Sequence, residues 1–141
     1  GYLKIKKGNK NKKEKPLSPL EFMSSDGFKI LVGRNNVQND MLTLKTAKNY
    51  DMWLHIQKYA GSHTIIIADK KEITETAIFE AACIAAYYSK AQNSSSVAVD
   101  YTLVKNVKKP AGAKPGRVIY NTYNTIYVTP QKELVEKLCI K

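Results

Sequence analysis

The chain has 141 residues and a formal net charge of +11, from 23 lysines and arginines against 12 aspartates and glutamates. This length supports one domain around a single core, and the positive charge favours an anionic partner. Cys83 and Cys139 are too few for a disulfide framework and lack metal-ligand spacing, so a cytoplasmic protein is expected. The longest apolar segment, residues 77–88, is broken by Glu80 and too short to span a bilayer, so no membrane contact is expected.

The positive charge is concentrated at the start of the chain. Residues 1–15 hold seven lysines and one glutamate, a net +6 that leaves +5 for the other 126 residues. A lysine-rich segment with so little apolar surface is typical of a solvated linker. We therefore predict a flexible basic linker or tail over residues 1–17 and one folded domain over residues 18–141.

The first predicted elements are a β-hairpin and a short helix. Residues 20–33 form two apolar runs around Asp26-Gly27, a pair suited to a type I′ turn, which needs positive φ at both positions. Asn35 or Asn36 can then cap a helix. The inner face of this helix would carry Val37, Met41 and Leu44, which recur at helical spacing.

The middle of the chain predicts two strands followed by the main helix. Residues 52–56 and 63–68 read as strands joined by a glycine-containing turn. Residues 74–91 read as a long helix with a narrow face of small residues that could lie close to a sheet. The inner face would carry Ile78, Ala81, Ala82 and Ala85, and the opposite face Glu80, Cys83, Tyr87 and Lys90.

The last third of the chain predicts a strand, a second hairpin and a terminal helix. Residues 97–104 alternate in the manner of a strand, residues 118–120 and 125–128 suggest a hairpin, and residues 130–138 a helix. Strands and helices are mixed without a strict βαβ rhythm. The predicted fold class is α+β: a single domain whose mixed or antiparallel sheet contains two hairpins, packed by one long helix and two shorter helices.

The first candidate contact surface lies where the predicted hairpin passes into the short helix. An arginine beside a helix N-terminus can offer a guanidinium fork and unpaired backbone N–H groups to one phosphate. The amide side chains that follow can hydrogen-bond sugars or base edges. The alternative is that they cap the helix or lie in solvent. The residues of this candidate are Arg34, Asn35, Asn36, Gln38 and Asn39.

The second candidate is a basic loop, which we define as residues 105–117. It carries five cations and no acid, with prolines and glycines that restrain the backbone between them. A phosphate backbone rewards such a cluster through counterion release. The glycine and lysine spacing of a phosphate-binding loop is absent, so nucleotide hydrolysis is not expected. The alternative is an ordinary solvated loop. The cations are Lys105, Lys108, Lys109, Lys114 and Arg117.

The third candidate is aromatic. Trp53 and His55 share one face of a predicted strand, and His63 begins the next strand directly after Ser62. Together these side chains could stack on an unpaired base and hydrogen-bond it. The alternative is a buried tryptophan with histidines that are hydrogen-bonded within the domain.

A metal nuclease is the enzymatic alternative. His55, His63, Asp51 and Asp100 could in principle surround a metal ion. They are scattered over strands and turns, with no H-E-x-x-H or paired-carboxylate motif. We therefore expect no catalytic residue, no metal and no cofactor.

Six uncommon segments occur in order between residues 25 and 116. They read SDGF, GRNNVQND, DMWLH, GSH, VDYT and KKPAGAKPG. In this order they resemble the NFACT-R domain, the RNA-binding module of the RqcH family, also called fibronectin-binding protein A. The resemblance extends over residues 20–130. Two positions depart from the usual motifs: Ala60 replaces a common proline before GSH, and Leu54 replaces a phenylalanine before His55.

The resemblance implies a binding domain of a ribosome-associated quality control factor, not an enzyme. Proteins of this family are expected to bind the obstructed large ribosomal subunit and to recruit alanyl-tRNA, so that an alanine tail is added to the stalled chain. The implied partners are rRNA and tRNA, and the isolated domain is expected to be monomeric. The resemblance also implies that Asp100 is a buried charge holding the basic loop. The older family name implies the alternative of a fibronectin- or matrix-binding adhesin.

Overall fold

The computed structural model describes residues 18–140. The predicted linker of residues 1–17 lies outside them. The elements in chain order are β1 (Leu20–Met23), β2 (Lys29–Val32), α1 (Asn36–Met41), a π-helical segment (Leu42–Thr46), β3 (Met52–Ile56), β4 (Thr64–Ile66), α2 (Glu75–Tyr87), β5 (Val97–Leu103), a 3₁₀ turn (Val104–Asn106), β6 (Val107–Lys108), β7 (Ile119–Tyr120), β8 (Asn124–Val128) and α3 (Lys132–Leu138).

Six of these strands form one antiparallel sheet in the order β1-β2-β4-β3-β5-β8. The two short strands β6 and β7 pair with each other at the ends of the basic loop. The α+β prediction is confirmed, and the sheet is antiparallel.

Side chains alternate between the two faces of the central sheet along each strand, and both faces are covered. Ile30 and Leu54 point to the face that packs against α2, where the core is largest. Leu31 and Trp53, one position away on the same strands, point to the other face. That second face is covered by the π-helical segment and by the residues around β6 and β7, and it carries the candidate site.

The first hairpin forms, but its turn is not type I′. Gly27 has a φ of 95°, whereas Asp26 keeps a negative φ. The loop closes through bonds from Gly27 N to the Ser24 carbonyl (3.0 Å) and from Ser24 N to the Phe28 carbonyl (2.8 Å). The Asp26 carboxylate accepts from the Ser24 and Thr74 hydroxyls, which fixes this wider loop.

The prediction that Val37, Met41 and Leu44 form the inner face of the short helix is wrong. Val37 and Met41 are 64% and 50% exposed, and Leu44 is 40% exposed. The buried face instead carries Asn39 and Thr43, because both side chains hydrogen-bond His63. Polar contacts with one buried histidine therefore outweigh the apolar spacing.

The long helix begins at Thr74, whose hydroxyl accepts from Ala77 N and caps it. The predicted alanine face is buried as expected. Glu80 and Cys83, predicted for the opposite face, are also buried. The Glu80 carboxylate accepts from the backbone N–H and hydroxyl of Ser25 at 2.7 and 2.8 Å, so its burial is compensated by hydrogen bonds.

The second predicted hairpin does not form. Ile119–Tyr120 pairs with Val107–Lys108 and closes the basic loop. Asn124–Val128 instead adds to the edge of the main sheet, in register with Val97–Tyr101. The two segments therefore separate because each finds an earlier strand as its partner.

Candidate nucleic-acid interface

The N-terminal turn of α1 is capped by its own amides. Asn35 Oδ1 accepts from Gln38 N at 2.8 Å, and Gln38 Oε1 accepts from Arg34 N at 2.7 Å. The Arg34 side chain is exposed, and its Nε donates to the Ser18 carbonyl at 2.6 Å. Asn36 is exposed beside this cap and lines three cavities. Asn35 and Gln38 therefore shape the turn on which Arg34 and Asn36 are presented.

Asn39 and His63 join α1 to the sheet. Asn39 is 3% exposed, and its Oδ1 accepts from the backbone N–H of His63 at 3.1 Å. His63 is 1% exposed and donates from Nε2 to the Gly116 carbonyl at 3.1 Å, so its Nδ1 accepts from the Thr43 hydroxyl at 2.8 Å. Burial, together with the neighbouring His55, lowers the pKa of His63 to about 4, so its ring is neutral.

One acidic side chain, that of Asp40 on α1, holds the basic loop against this helix. Lys109 Nζ lies 3.3 Å from Asp40 Oδ2 and donates to the carbonyls of Lys114 and Arg117 at 2.6 and 3.2 Å. The other carboxylate oxygen of Asp40 accepts from Gly116 N at 3.0 Å. Lys109 therefore organises the loop from within. The other four cations, Lys105, Lys108, Lys114 and Arg117, are exposed.

The third candidate forms an aromatic cluster against this loop. Trp53 is 1% exposed and lies parallel to His55, with ring centroids 5.8 Å apart. The edges of His63 and Tyr120 approach it at centroid distances of 5.4 and 4.7 Å. His55 is half-buried and donates from Nδ1 to the Ile56 carbonyl at 2.6 Å, while burial lowers its pKa.

Beside this cluster lies a cavity of about 490 Å³, which we name the aromatic cavity. Strand β3 forms one wall and the end of the basic loop the other. Its lining includes Asn36, Trp53, His55, Tyr59, Arg117 and Tyr120. Ser62 lies outside it, in a shallower groove with Arg34 and Asn36.

The structure thus brings members of the three candidate sets onto one surface, although Lys105, Lys108 and Lys114 line neither the aromatic cavity nor the adjoining groove. Asn36 and Arg117 border the aromatic cavity, and Arg34 and Ser62 border the adjoining groove. Asn39 is buried and bonded to His63, so it positions its neighbours, whereas Trp53 is buried but lines the aromatic cavity. Sequence reasoning missed Asp40, Lys58, Tyr59 and Tyr120. Tyr59 alone had a local signal, since it is an aromatic residue next to the glycine-containing turn.

Asp100 is buried, as the resemblance implied, but its contacts are with neutral groups. Its carboxylate accepts from the Tyr120 hydroxyl at 2.7 Å, from Thr125 at 2.8 Å and from Gln57 Nε2 at 3.0 Å. Burial and then the Asp100 bond raise the pKa of Tyr120. Asp100 therefore holds the strand that follows the basic loop, and not the lysines themselves.

Two residues of the nuclease alternative, His55 and His63, are neighbours with ring centroids 5.5 Å apart. Among residues 18–140, no group of three or more histidine, cysteine, aspartate or glutamate side chains is placed to hold a metal ion. Asp51 accepts from the backbone N–H groups of Lys48 and Ala68, so its carboxylate stabilises the start of β3. Over the same residues, no helix combines the length and apolarity needed to cross a membrane.

Comparison with known proteins identifies relatives. The sequence is 48% identical to the Rqc2 homolog RqcH of Bacillus subtilis (strain 168) over 139 residues, which cover 97% of this chain and 24% of that protein. It is 40% identical to the Rqc2 homolog RqcH of Streptococcus suis (strain 05ZYH33) over 141 residues, 99% of this chain and 25% of that protein. The chain therefore spans about a quarter of the length of these relatives.

A solved structure shares the fold. The C-terminal part of the fibronectin/fibrinogen-binding protein from Streptococcus suis superposes with a TM-score of 0.85 at 40% identity, covering 89% of this chain and 51% of that one. Residues 19–122 match the family described as the NFACT protein RNA binding domain. The chain belongs to the NFACT RNA-binding domain family.

Proposed function

We propose that this chain is a non-catalytic RNA-binding domain of an RqcH-like protein in ribosome-associated quality control. The family and the relatives named Rqc2 homolog RqcH support this role. In this proposal the whole protein binds the obstructed large ribosomal subunit and recruits tRNA for alanine tailing. The ribosome forms the peptide bonds, and the domain contributes contacts with rRNA or tRNA in the cytoplasm.

The observation that carries the proposal is the arrangement of charge around the aromatic cavity. Cations from two separate parts of the chain, Arg34 and Arg117 of the basic loop, border one surface. The lining of the aromatic cavity contains no acid and includes the cations Lys58 and Arg117. Phosphates are held by such exposed cations, whereas unpaired bases stack on aromatic rings. The surface therefore offers both kinds of contact that single-stranded RNA requires.

The individual side chains suit different parts of the RNA. Arg34 and Arg117 can each bind a phosphate through a planar guanidinium, while Lys105, Lys108 and Lys114 act as point charges. Asn36 can donate to or accept from a sugar or a base edge. Contacts with the phosphate backbone fix the position of the RNA. Sequence preference would come from the Asn36 side-chain amide and from the aromatic cavity.

The experiment that tests the proposal is a binding titration with labelled tRNA and large-subunit rRNA fragments at several salt concentrations. We expect the logarithm of the affinity to fall steeply and linearly with the logarithm of the salt concentration, because bound cations release counterions. Removing residues 1–15, with a net charge of +6, should reduce the slope without abolishing binding. A salt-independent affinity, or no binding, would contradict the proposal.

A matrix-binding function is the second candidate, because the similar Streptococcus suis structure is that of a fibronectin/fibrinogen-binding protein. The same cationic surface could attract a polyanionic matrix non-specifically. Immobilised fibronectin and heparin should then be compared with tRNA under one set of salt conditions. Fibronectin binding that persists at a salt concentration where tRNA is released would favour the matrix-binding function.

A further inference from the structure

We propose that the aromatic cavity receives one unpaired nucleobase, turned out of the RNA that the surrounding cations hold. This inference rests on the proposed function and assigns to one cavity the part of the RNA that is recognised. The cavity, at about 490 Å³, is within the size range of small-molecule sites. Its walls are aromatic rings on β3 and β7 and the backbone of the basic loop, a composition that suits a flat heteroaromatic group.

Trp53 provides an unfilled hydrogen-bonding position. Its indole Nε1–H is buried and has no acceptor among residues 18–140, although the side chain lines the cavity. An unpaired buried donor is costly, and an indole N–H can only donate. A carbonyl or ring nitrogen of a base can supply the missing acceptor. The ring is held in place by His55, His63 and Tyr120, so the donor is fixed before the base arrives.

Tyr59 provides a stacking surface at the entrance of the aromatic cavity. It lines the cavity and is 61% exposed, so much of its ring is free to stack on a base. The preceding residue, Lys58, has a φ of 72°, a conformation that is unfavourable for a residue other than glycine. Such strained residues concentrate at ligand-binding turns. The turn therefore holds an aromatic ring and a cation together at the entrance.

The charge around the cavity favours an anionic ligand such as a nucleotide over a cationic or neutral one. Lys58 and Arg117 lie at its border, so a base that enters would bring its phosphate towards cations. The wall formed by the basic loop is anchored from both sides, by the Gly116 carbonyl to His63 and by Gly116 N to Asp40. A base in the cavity would thus lie between a fixed loop and the tryptophan strand.

The test uses the 141-residue chain and three matched RNA hairpins whose stems are closed by the same non-nucleotide linker: one with a single bulged nucleotide, one with an abasic residue at that bulge, and one with a fully paired stem. Each of the four bases is placed in the bulge in turn. We expect the best bulged hairpin to bind roughly 5- to 100-fold more tightly than the abasic one, the range for stacking of one base. It should also change the fluorescence of Trp53, the single tryptophan of the chain.

The variant Tyr59→Ala should bring the ratio of bulged to abasic affinity close to one. Tyr127→Ala is the matched control, because Tyr127 is 69% exposed on β8 and does not line the cavity. Equal affinity for all bulged and abasic hairpins, with unchanged Trp53 fluorescence, would overturn the base-binding inference while the salt-dependent RNA binding still stood. Loss of salt-dependent binding to every hairpin would contradict the proposed function as well. A fluorescence response to a tyrosine-containing peptide but to none of the hairpins would also overturn the inference.

Discussion

The ammonium group of Lys109 lies 3.3 Å from the carboxylate of Asp40, a residue of α1 that is 69 positions earlier in the chain. The same ammonium donates to two carbonyls of its own loop, those of Lys114 and Arg117. Asp40 also accepts from the backbone of Gly116. One acid–base pair therefore fixes the shape of the basic loop, and the remaining cations of the loop are presented on a defined backbone.

Asp40→Asn distinguishes the effect of surface charge on RNA binding from the effect of the shape of the basic loop. The substitution raises the net charge to +12, so simple electrostatic attraction would strengthen RNA binding. We expect weaker binding instead, because the amide loses the ion pair with Lys109 and the basic loop loses its anchor. The free energy of unfolding should fall by about 1 kcal/mol, as for a partly exposed ion pair. A tRNA titration at fixed salt and a thermal melt measure both effects.

Asp69→Asn is the control for this prediction. It makes the same change of charge on an exposed loop between β4 and α2, and asparagine tolerates the positive φ of 51° found there. Its RNA affinity should be equal to or slightly higher than that of the unmodified chain. If Asp40→Asn also bound RNA more tightly, net charge would govern the affinity, and the anchoring role of Asp40 would be wrong.

Lys108 and Lys109 are adjacent in sequence but should behave differently. Lys108 is exposed, so Lys108→Ala should reduce the slope of log affinity against log salt by about one unit and leave stability unchanged. Lys109→Ala should lower both stability and affinity, because its ammonium bonds are internal to the domain. Salt titrations and thermal melts of the two variants provide the comparison. Identical behaviour of the two variants would show that Lys109 is only another surface charge.

The parts of the structure that follow local rules were predictable from the sequence. The cap at Thr74 and the run of alanines define α2, and the alternation of residues 97–103 defines β5. The order of the uncommon segments indicated the family. These signals depend on residues close together in the chain, where spacing translates directly into geometry.

The remaining features depend on contacts between distant residues. No local pattern shows that Asp40 will meet Lys109, or that Asn39 and Thr43 will turn the polar face of α1 towards His63. Tyr120 likewise reaches Trp53 only because β7 pairs with β6 and not with β8. Part of the composition of the candidate site was therefore readable from the sequence, while Tyr59, Tyr120 and the arrangement of the site needed the tertiary structure.

Gly116→Ala tests the contact between the basic loop and the cap of α1. A Cβ at Gly116 would lie 2.8 Å from Asn36 Oδ1, so the Asn36 side chain must move away from the surface it shares with the loop. The φ of 85° adds backbone strain of about 1 kcal/mol. We expect a modest loss of stability and a clear loss of RNA affinity, measured by thermal melts and a tRNA titration.

Gly112→Ala supplies the matched control within the same loop. Gly112 has a φ of 78°, but a Cβ there would meet nothing within 4 Å. Its stability loss should therefore resemble that of Gly116→Ala, while its RNA affinity should stay near that of the unmodified chain. Equal losses of affinity in both variants would assign the effect to the conformation of the loop, and the contact with Asn36 would then be unimportant.

The buried His63 should make the domain sensitive to mild acid. Its pKa in the folded protein is about 4, compared with 6.5 for an ordinary imidazole, and burial is the main cause. Between these values the unfolded chain binds a proton that the folded chain does not. Stability is therefore full above about pH 6.5 and falls as the pH decreases towards 4. Between pH 7 and pH 5 the free energy of unfolding should fall by about 2 kcal/mol.

Denaturant unfolding of the full chain and of His63→Gln at several pH values checks this prediction. Glutamine removes the titrating ring, so the variant should be less stable at pH 7 yet lose much less stability on acidification. His55 is the one other histidine of the chain, and burial also lowers its pKa, so a smaller dependence of the same sign should remain. If the variant kept the whole pH dependence, His63 would not be the responsible group.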